Sequence, residues 1–313
     1  MSLRALVTGA EGFVGRVLCD HLTAQGWEVV PATRVARDRA DAIACDITHV
    51  KQVHALMAEA GAVTHVFHLA AISFVPDTLK DPGLATRVNI EGTLNVATVL
   101  REHRPGARLV NVGSAAIYGT PLSTPITEDH PLNPDTPYAI TKAAADRYCD
   151  YYHQAEGLDV IRMRPFNHSG PGQSDAFVLS SFAKQIAAVE AGQREPVLHV
   201  GNLNSGRDFS HVADVVRAYE VAALHGKAGE AYNVASGVMV RIGDVLNRLI
   251  ELSDAEVAVE VDEKRLRPLD DDLVYGSCDR LHADTGWKPE RNLDHILGDL
   301  LGYWRAQFSA PAE

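Results

Sequence analysis

A phenol and a primary amine stand four residues apart in the run Tyr138-Ala139-Ile140-Thr141-Lys142. Pro137 ahead of them and the alanine-rich stretch through Ala145, Asp146 and Arg147 predict a helix, on which residues i and i+4 share one face. An ammonium group at that spacing favours phenolate over phenol. It would draw the tyrosine from its ordinary pKa of ~10 toward neutrality and make Tyr138 a usable proton donor or acceptor. Taken alone the pattern is common, and a solvated helix face can carry it. Its weight comes from what flanks it.

Far upstream, Gly9-Ala10-Glu11-Gly12-Phe13-Val14-Gly15 follows a short apolar run, Leu3 to Val7, and opens a helical pattern through Leu22. The apolar run suits a buried parallel strand. Glycines at a strand-to-helix turn permit a tight bend, let a phosphate approach the backbone and let the helix pack close to the strand. The helix N-terminus then offers free N–H groups to a pyrophosphate. A second strand, Glu28 to Ala32, ends at Thr33-Arg34, with Arg37 and Arg39 beyond, and no carboxylate along this stretch opposes a 2′-phosphate before Asp38. An acidic residue here would hold a ribose 2′-hydroxyl. Arg34 in its place points to NADP(H), with NAD(H) left open because these arginines can also belong to a solvated loop.

The elements that must position these groups alternate in type. A third strand, Ala42 to Cys45, leads to Asp46-Ile47, an edge for the adenine pocket; a fourth, His65 to Leu69, ends at Ala70-Ala71, small enough for a cofactor to lie against the strand end. Asn89 to Leu100 has helical spacing, and a fifth strand, Arg108 to Val112, runs into Gly113-Ser114-Ala115-Ala116. Another strand follows from Ile161 to Phe166. This alternation predicts an α/β fold with a doubly wound parallel sheet. Residues 120–137 contain five prolines and read as an ordered loop over the site, with Glu128 and Asp129 as loop charges.

With 313 residues, 46% of them hydrophobic, the chain can bury a large core, and its length suits a main domain at 1–165 and a smaller one at 166–313, some segments of which return to the first. A net charge of −12 argues against nucleic acid or an anionic membrane as partner. No apolar run approaches the ~20 residues of a membrane span, and the N-terminus leads straight into a strand without a signal-peptide pattern. The scattered Cys19, Cys45, Cys149 and Cys278 form no C-x-x-C and read as free thiols in a reducing cytoplasm. No metal site is expected among the 14 histidines.

Gly9-x-x-Gly12-x-x-Gly15, Ser114 after the fifth strand and Tyr138-x-x-x-Lys142, in this order and spacing, resemble the extended short-chain dehydrogenase/reductases that act on sugar nucleotides. The likeness implies a Rossmann-like domain followed by a smaller α/β substrate domain. It implies Ser114 as hydrogen-bond donor to the reacting oxygen, Tyr138 as general acid/base, and Lys142 as the group that depresses its pKa and binds the nicotinamide ribose. The cofactor-lining set it implies is Gly9, Gly12, Phe13, Val14, Gly15, Arg34, Asp46, Ile47, Leu69, Ala70, Ala71, Asn89, Tyr138, Lys142 and Pro165.

Within that family, the run Arg164-Pro165-Phe166-Asn167-His168-x-Gly170-Pro171-Gly172-Gln173 resembles the GDP-4-keto-6-deoxy-mannose reductases, while its F-N-H core is shared with the GDP-mannose 4,6-dehydratases. Besides Ser114, the positions this implies for the sugar nucleotide are Asn167, Val178, Lys184, Arg207 and Arg267. Arginine forks suit a pyrophosphate, although Arg207 beside Asp208 can also be a surface ion pair. Dehydratases place carboxylates after the strand-five Ser/Thr; here Ala115 and Ala116 stand there, and alanine transfers no proton. The expectation is an NADPH-dependent reductase of a GDP-linked 4-keto-6-deoxyhexose that yields GDP-rhamnose and forms a homodimer. The alternatives are a 4-epimerase with tightly bound NAD(P) and a non-catalytic NADP-binding regulator.

Overall fold

The central strands are apolar on both faces, as a parallel sheet covered by helices on both sides requires. In the computed structural model, which describes residues 3–35, 39–263 and 273–309, the first half runs β1 (Arg4–Thr8), α1 (Phe13–Ala24), β2 (Glu28–Thr33), β3 (Ile43–Ala44), α2 (Val50–Glu59), β4 (His65–His68), α3 (Val75–Lys80), α4 (Pro82–Thr86), α5 (Gly92–His103), β5 (Arg108–Val112), α6 (Pro137–Glu156) and β6 (Val160–Pro165). The second half runs β7 (Asn167–Ser169), α7 (Val178–Glu190), β8 (Val197–Val200), β9 (Gly206–His211), α8 (Val212–His225), β10 (Ala231–Val234), β11 (Met239–Arg241), α9 (Ile242–Glu251), β12 (Ala258–Val261), β13 (Leu273–Val274), α10 (Asp279–Thr285) and α11 (Leu293–Ser309).

Seven parallel strands form a Rossmann-like, doubly wound sheet in the order β10-β6-β5-β4-β1-β2-β3. The order reverses between β1 and β4, which is where such sheets bind ligands at their carboxyl edge. Alternation along the strands divides the core. Val7, Phe67, Val110, Ile161 and Met163 pack with α1 and α8, and Leu6, Val66, Leu109 and Val160 pack with α2, α5 and α6 on the other face. Although α8 and β10 come late in the chain, they complete this first sheet. With them pack Leu281 of α10 and Trp287, while a separate core forms from Leu179, Phe182 and Ile186 of α7, Val245 and Leu249 of α9, and Leu297 and Leu300 of α11. Beside it, β9 pairs with β7, β11 and β13, and β8 pairs with β12.

Two expectations are corrected by packing. The stretch from Asn89 does not begin as a regular helix: Arg87–Glu91 is a π turn, and Asn89 is buried within it. Such turns re-aim a side chain at the cost of helical regularity. Glu128 is no loop charge. It is buried, accepts a hydrogen bond from the Asn233 backbone at 2.8 Å and faces Arg280 at 3.7 Å, while Asp129 pairs with the same arginine at the surface. The proline-rich loop is thus pinned to β10 and α10. Among the described residues no helix is long and apolar enough to cross a membrane.

Candidate active site

Two helix caps bring Ser114 and Tyr138 together. The Ser114 Oγ accepts from the Ala116 backbone at 3.1 Å and starts the short turn Ala115–Tyr118. Thr136 caps α6, its Oγ1 accepting from Ala139 at 3.2 Å with Pro137 in the first turn. Half-buried Tyr138 then meets the Ser114 hydroxyl as a hydrogen-bond partner. Further along α6, Asp146 is fully buried and holds both Arg164, at 2.9 and 3.0 Å, and Arg162, at 3.1 Å, of β6.

The pKa of Tyr138 runs opposite to the sequence reading. Burial raises it, and the Ser114 hydrogen bond pulls it only part of the way back. The Lys142 Nζ donates to the Val112 carbonyl at 2.7 Å. A buried ammonium needs an acceptor, and the last carbonyl of β5 supplies it. Burial also draws Lys142 down to about 8. With burial, that neighbouring charge takes His68 down to about 3, so the imidazole stays neutral between Thr8 at 2.8 Å and Thr93 at 3.1 Å.

The glycine turn has the form a dinucleotide needs. Gly9 has φ +72°, and a Cβ there would lie 2.9 Å from the Ala70 nitrogen; one on Gly15 would lie 2.1 Å from the Gly9 carbonyl oxygen. Ala70, between Leu69 and Ala71, also donates to Thr8 Oγ1 at 3.3 Å. Gly12 caps α1 without a side chain, which leaves the first N–H groups to an anion. Phe13 stacks on His168 of the second half at 6.2 Å, and Val14 packs on the core beneath. Pro165 closes β6, buried, and Ile47 fills the space above Gly92.

Two members of the predicted cofactor set, Asn89 and Asp46, bond within the protein. Asn89 spends its whole amide on protein: Oδ1 accepts from Ile72 N at 2.8 Å, and Nδ2 donates to Ile72 O at 3.1 Å and Thr141 Oγ1 at 3.0 Å. It clamps the loop after β4 to α6. The Asp46 carboxylate caps the turn before α2 through Thr48, at 2.7 and 3.0 Å. Arg34 is exposed at the end of β2, but a carboxylate does stand there. Glu11 accepts from Thr33 Oγ1 at 3.2 Å and from Arg39 N at 3.3 Å. It arrives from the glycine turn, so a reading along the strand alone misses it; the single acid inside the turn was the available signal.

On the opposite wall, Asn167 is exposed on β7 and Val178 is exposed as the first residue of α7. Lys184 binds Asp175 at 2.7 Å and lies 5.1 Å over the Trp304 ring. Arg207 donates to the Gly206 carbonyl at 2.9 Å. Its neighbour Asp208 is no surface partner: it is buried and accepts from Ser236 at 2.7 and 2.8 Å and from Gly237 at 3.0 Å. Arg267, and the second-strand Arg37 and Asp38, lie outside the described residues.

Residues 6–300 match the profile of the GDP-mannose 4,6 dehydratase family. The GDP-6-deoxy-D-mannose reductase of Pseudomonas aeruginosa is 35% identical over 311 residues, which cover 98% of this chain and 99% of that one. The solved structure of RMD from Pseudomonas aeruginosa complexed with NADPH is 34% identical and superposes with a TM-score of 0.89, over 98% of this chain and 99% of that chain. A UDP-glucose 4-epimerase of Mycolicibacterium smegmatis is 30% identical over 322 residues, 97% of this chain and 99% of its own.

Proposed function

The chain belongs to the GDP-mannose 4,6 dehydratase family, and from that premise we propose that it is an NADPH-dependent reductase converting the C4 ketone of GDP-4-keto-6-deoxy-D-mannose to GDP-rhamnose. The observation that carries this choice is Ala115-Ala116 directly after Ser114, beside a phenol held in its protonated form. Ser114 and Tyr138 can serve a carbonyl, but neither alanine can move the protons that loss of water requires.

Bound NADPH supplies the hydride. Ser114 donates a hydrogen bond to the C4 oxygen. Tyr138 gives that oxygen its proton as the alkoxide forms, and its raised pKa keeps the proton in place until then. Lys142, fixed on Val112, keeps a positive charge beneath the site at neutral pH. Gly9, Gly12 and Gly15 with the uncapped end of α1 hold the pyrophosphate, and Arg34 holds the 2′-phosphate. Asn167, Val178, Lys184, Arg207 and Arg267 take the sugar nucleotide. Residues 1–165 then serve chiefly as the dinucleotide unit and 166–313 chiefly as the sugar-nucleotide unit, apart from α8 and β10.

The likeness to a reductase and to an NADPH complex supports this reading; the likeness to a 4-epimerase favours the second one, interconversion of two sugar nucleotides with the cofactor retained. Mixing the protein with NADPH and GDP-4-keto-6-deoxy-mannose decides between them. Mole-for-mole oxidation of NADPH with ketone consumed is expected. A flat nicotinamide absorbance together with epimerisation of a GDP- or UDP-hexose would put the second reading in its place.

The same reading includes a homodimer. Ile140, Tyr148 and Tyr151 leave 51%, 44% and 55% of their surfaces exposed on one side of α6, an apolar strip suited to an isologous contact. Light scattering at micromolar concentration should return the dimer mass; the monomer mass would exclude it.

A further inference from the structure

Phe74 of the first half and Phe177 of the second meet edge to face, with ring centroids 5.7 Å apart and planes at 67°. Topology fixes where this contact lies. The strands β6, β5 and β4 are parallel neighbours in that order, so the chain leaves all three at the carboxyl edge of the sheet. Phe74 follows β4 and stands just before α3; Phe177 follows β6 and β7 and stands just before α7. The two segments therefore arch toward each other across the end of β5, beyond which Ser114 meets Tyr138. The ring pair closes that arch.

Both feet of the arch are fixed by the protein itself. Asn89 holds the Ile72 backbone at 2.8 and 3.1 Å. On the other side Ser180 of α7 donates to the Gln173 carbonyl at 2.7 Å, and the Gln173 amide donates to the His168 carbonyl at 2.9 Å. The rings are nevertheless not core. Phe74 is half-buried, and Phe177 keeps 38% of its surface exposed, as does Val178 beside it. Accessible aromatic surface beside a few fixed polar groups is the usual lining of a small-molecule site.

The substrate has one feature that matches such a surface. Ser114 and Tyr138 take the oxygen on C4; C5 is bonded to C4 and carries C6, which in a 6-deoxyhexose is a methyl group. That methyl is the one substituent of the sugar ring without a hydrogen-bonding atom. We propose that Phe74 and Phe177 are specificity residues whose rings receive the C6 methyl and so favour a 6-deoxy sugar nucleotide over its 6-hydroxy counterpart. The inference rests on the sugar-nucleotide reading above. A hydroxyl placed under the rings would lose its water and gain no partner.

GDP-rhamnose and GDP-mannose differ only by the 6-hydroxyl, and GDP, which lacks the sugar, is the control. Calorimetric titration without nicotinamide cofactor avoids turnover. The wild type should bind GDP-rhamnose roughly 10-fold more tightly than GDP-mannose, within the ~10²-fold that an apolar pocket achieves against an added hydroxyl. In Phe74→Ala and in Phe177→Ala that preference should vanish, while GDP binds as it does to the wild type. Phe177→Leu keeps apolar surface at the same place and should keep most of the preference. No preference in the wild type, or one that survives both alanine substitutions, would overturn the proposal. An equal loss for GDP-rhamnose, GDP-mannose and GDP would make the ring pair a tie between the two halves and overturn it too. A wild-type protein that binds none of the three would instead sink the sugar-nucleotide reading, and this inference with it.

Discussion

Where the glycine turn meets β4, contact is backbone on backbone: Gly9 against Ala70, and Gly15 against the Gly9 carbonyl, with no room for a Cβ. Across the cleft, on α7 and β9, the corresponding groups are long charged side chains, Lys184 on Asp175 and Trp304, and Arg207 on a neighbouring carbonyl. The first wall is a template with its shape set before any ligand arrives. The second must exchange internal partners for a ligand, so its affinity is a difference between two sets of charge-assisted contacts. Changes on the first wall should therefore act steeply, and changes on the second by degrees.

The steepest effect belongs to the proton donor. Tyr138→Phe should lower the reduction rate roughly 10²–10⁴-fold and leave the dissociation constants of both nucleotides nearly unmoved. A variant that kept most of its rate would remove Tyr138 from the chemistry. Reduction uses the protonated phenol, and burial raises its pKa. The rate should accordingly stay level through neutral pH and decline only on the alkaline side; a decline toward acid would reverse the assignment.

Next comes the template itself. Gly15→Ala places a methyl 2.1 Å from a carbonyl oxygen, and should cost about 1–3 kcal/mol of stability in denaturant melts, as overpacking does, along with dinucleotide binding. On the adjustable wall, Lys184→Ala should raise KM for the sugar nucleotide roughly tenfold, within the range for a hydrogen bond to a charged group, with kcat little changed. Asp175→Asn, which loosens the hold on Lys184, should lower KM. Equal losses in kcat and KM terms for both variants would erase the contrast between the walls.

The smallest effects are expected at the end of β2. Arg34→Ala should weaken NADPH selectively. Glu11→Gln should raise the preference for NADPH over NADH a few-fold, since the carboxylate bonded to Thr33 disfavours a phosphate beside it. Equal affinities for the two cofactors in the wild type would leave neither residue a role in the choice.

The glycine turn, the strand-helix alternation and the order of Ser114, Tyr138 and Lys142 were legible because each imposes a residue type at a fixed local spacing. What was not legible depends on partners distant in sequence. Glu11 finds Thr33 22 residues away, and Glu128 finds Asn233 105 residues away. No local pattern separates such carboxylates from solvated ones. The Lys142 ammonium shares a helix face with Tyr138, yet the carbonyl of another element claims it. Only the π turn reveals that the Asn89 amide bonds Ile72 and Thr141.

Asp146 joins α6 to β6 through two arginines, so the helix that presents Tyr138 is anchored in the first sheet. A lineage descending from this fold can therefore rewrite the residues that greet the base and the sugar without displacing the proton donor. New substrates become accessible through a few codons on one wall. The opposite change has no such gradual route, because loss of the Asp146 carboxylate takes the paired carboxylate from buried Arg164 and leaves Arg162 with Asp150. The inheritance of this architecture thus runs conservative on one side of the cleft and permissive on the other.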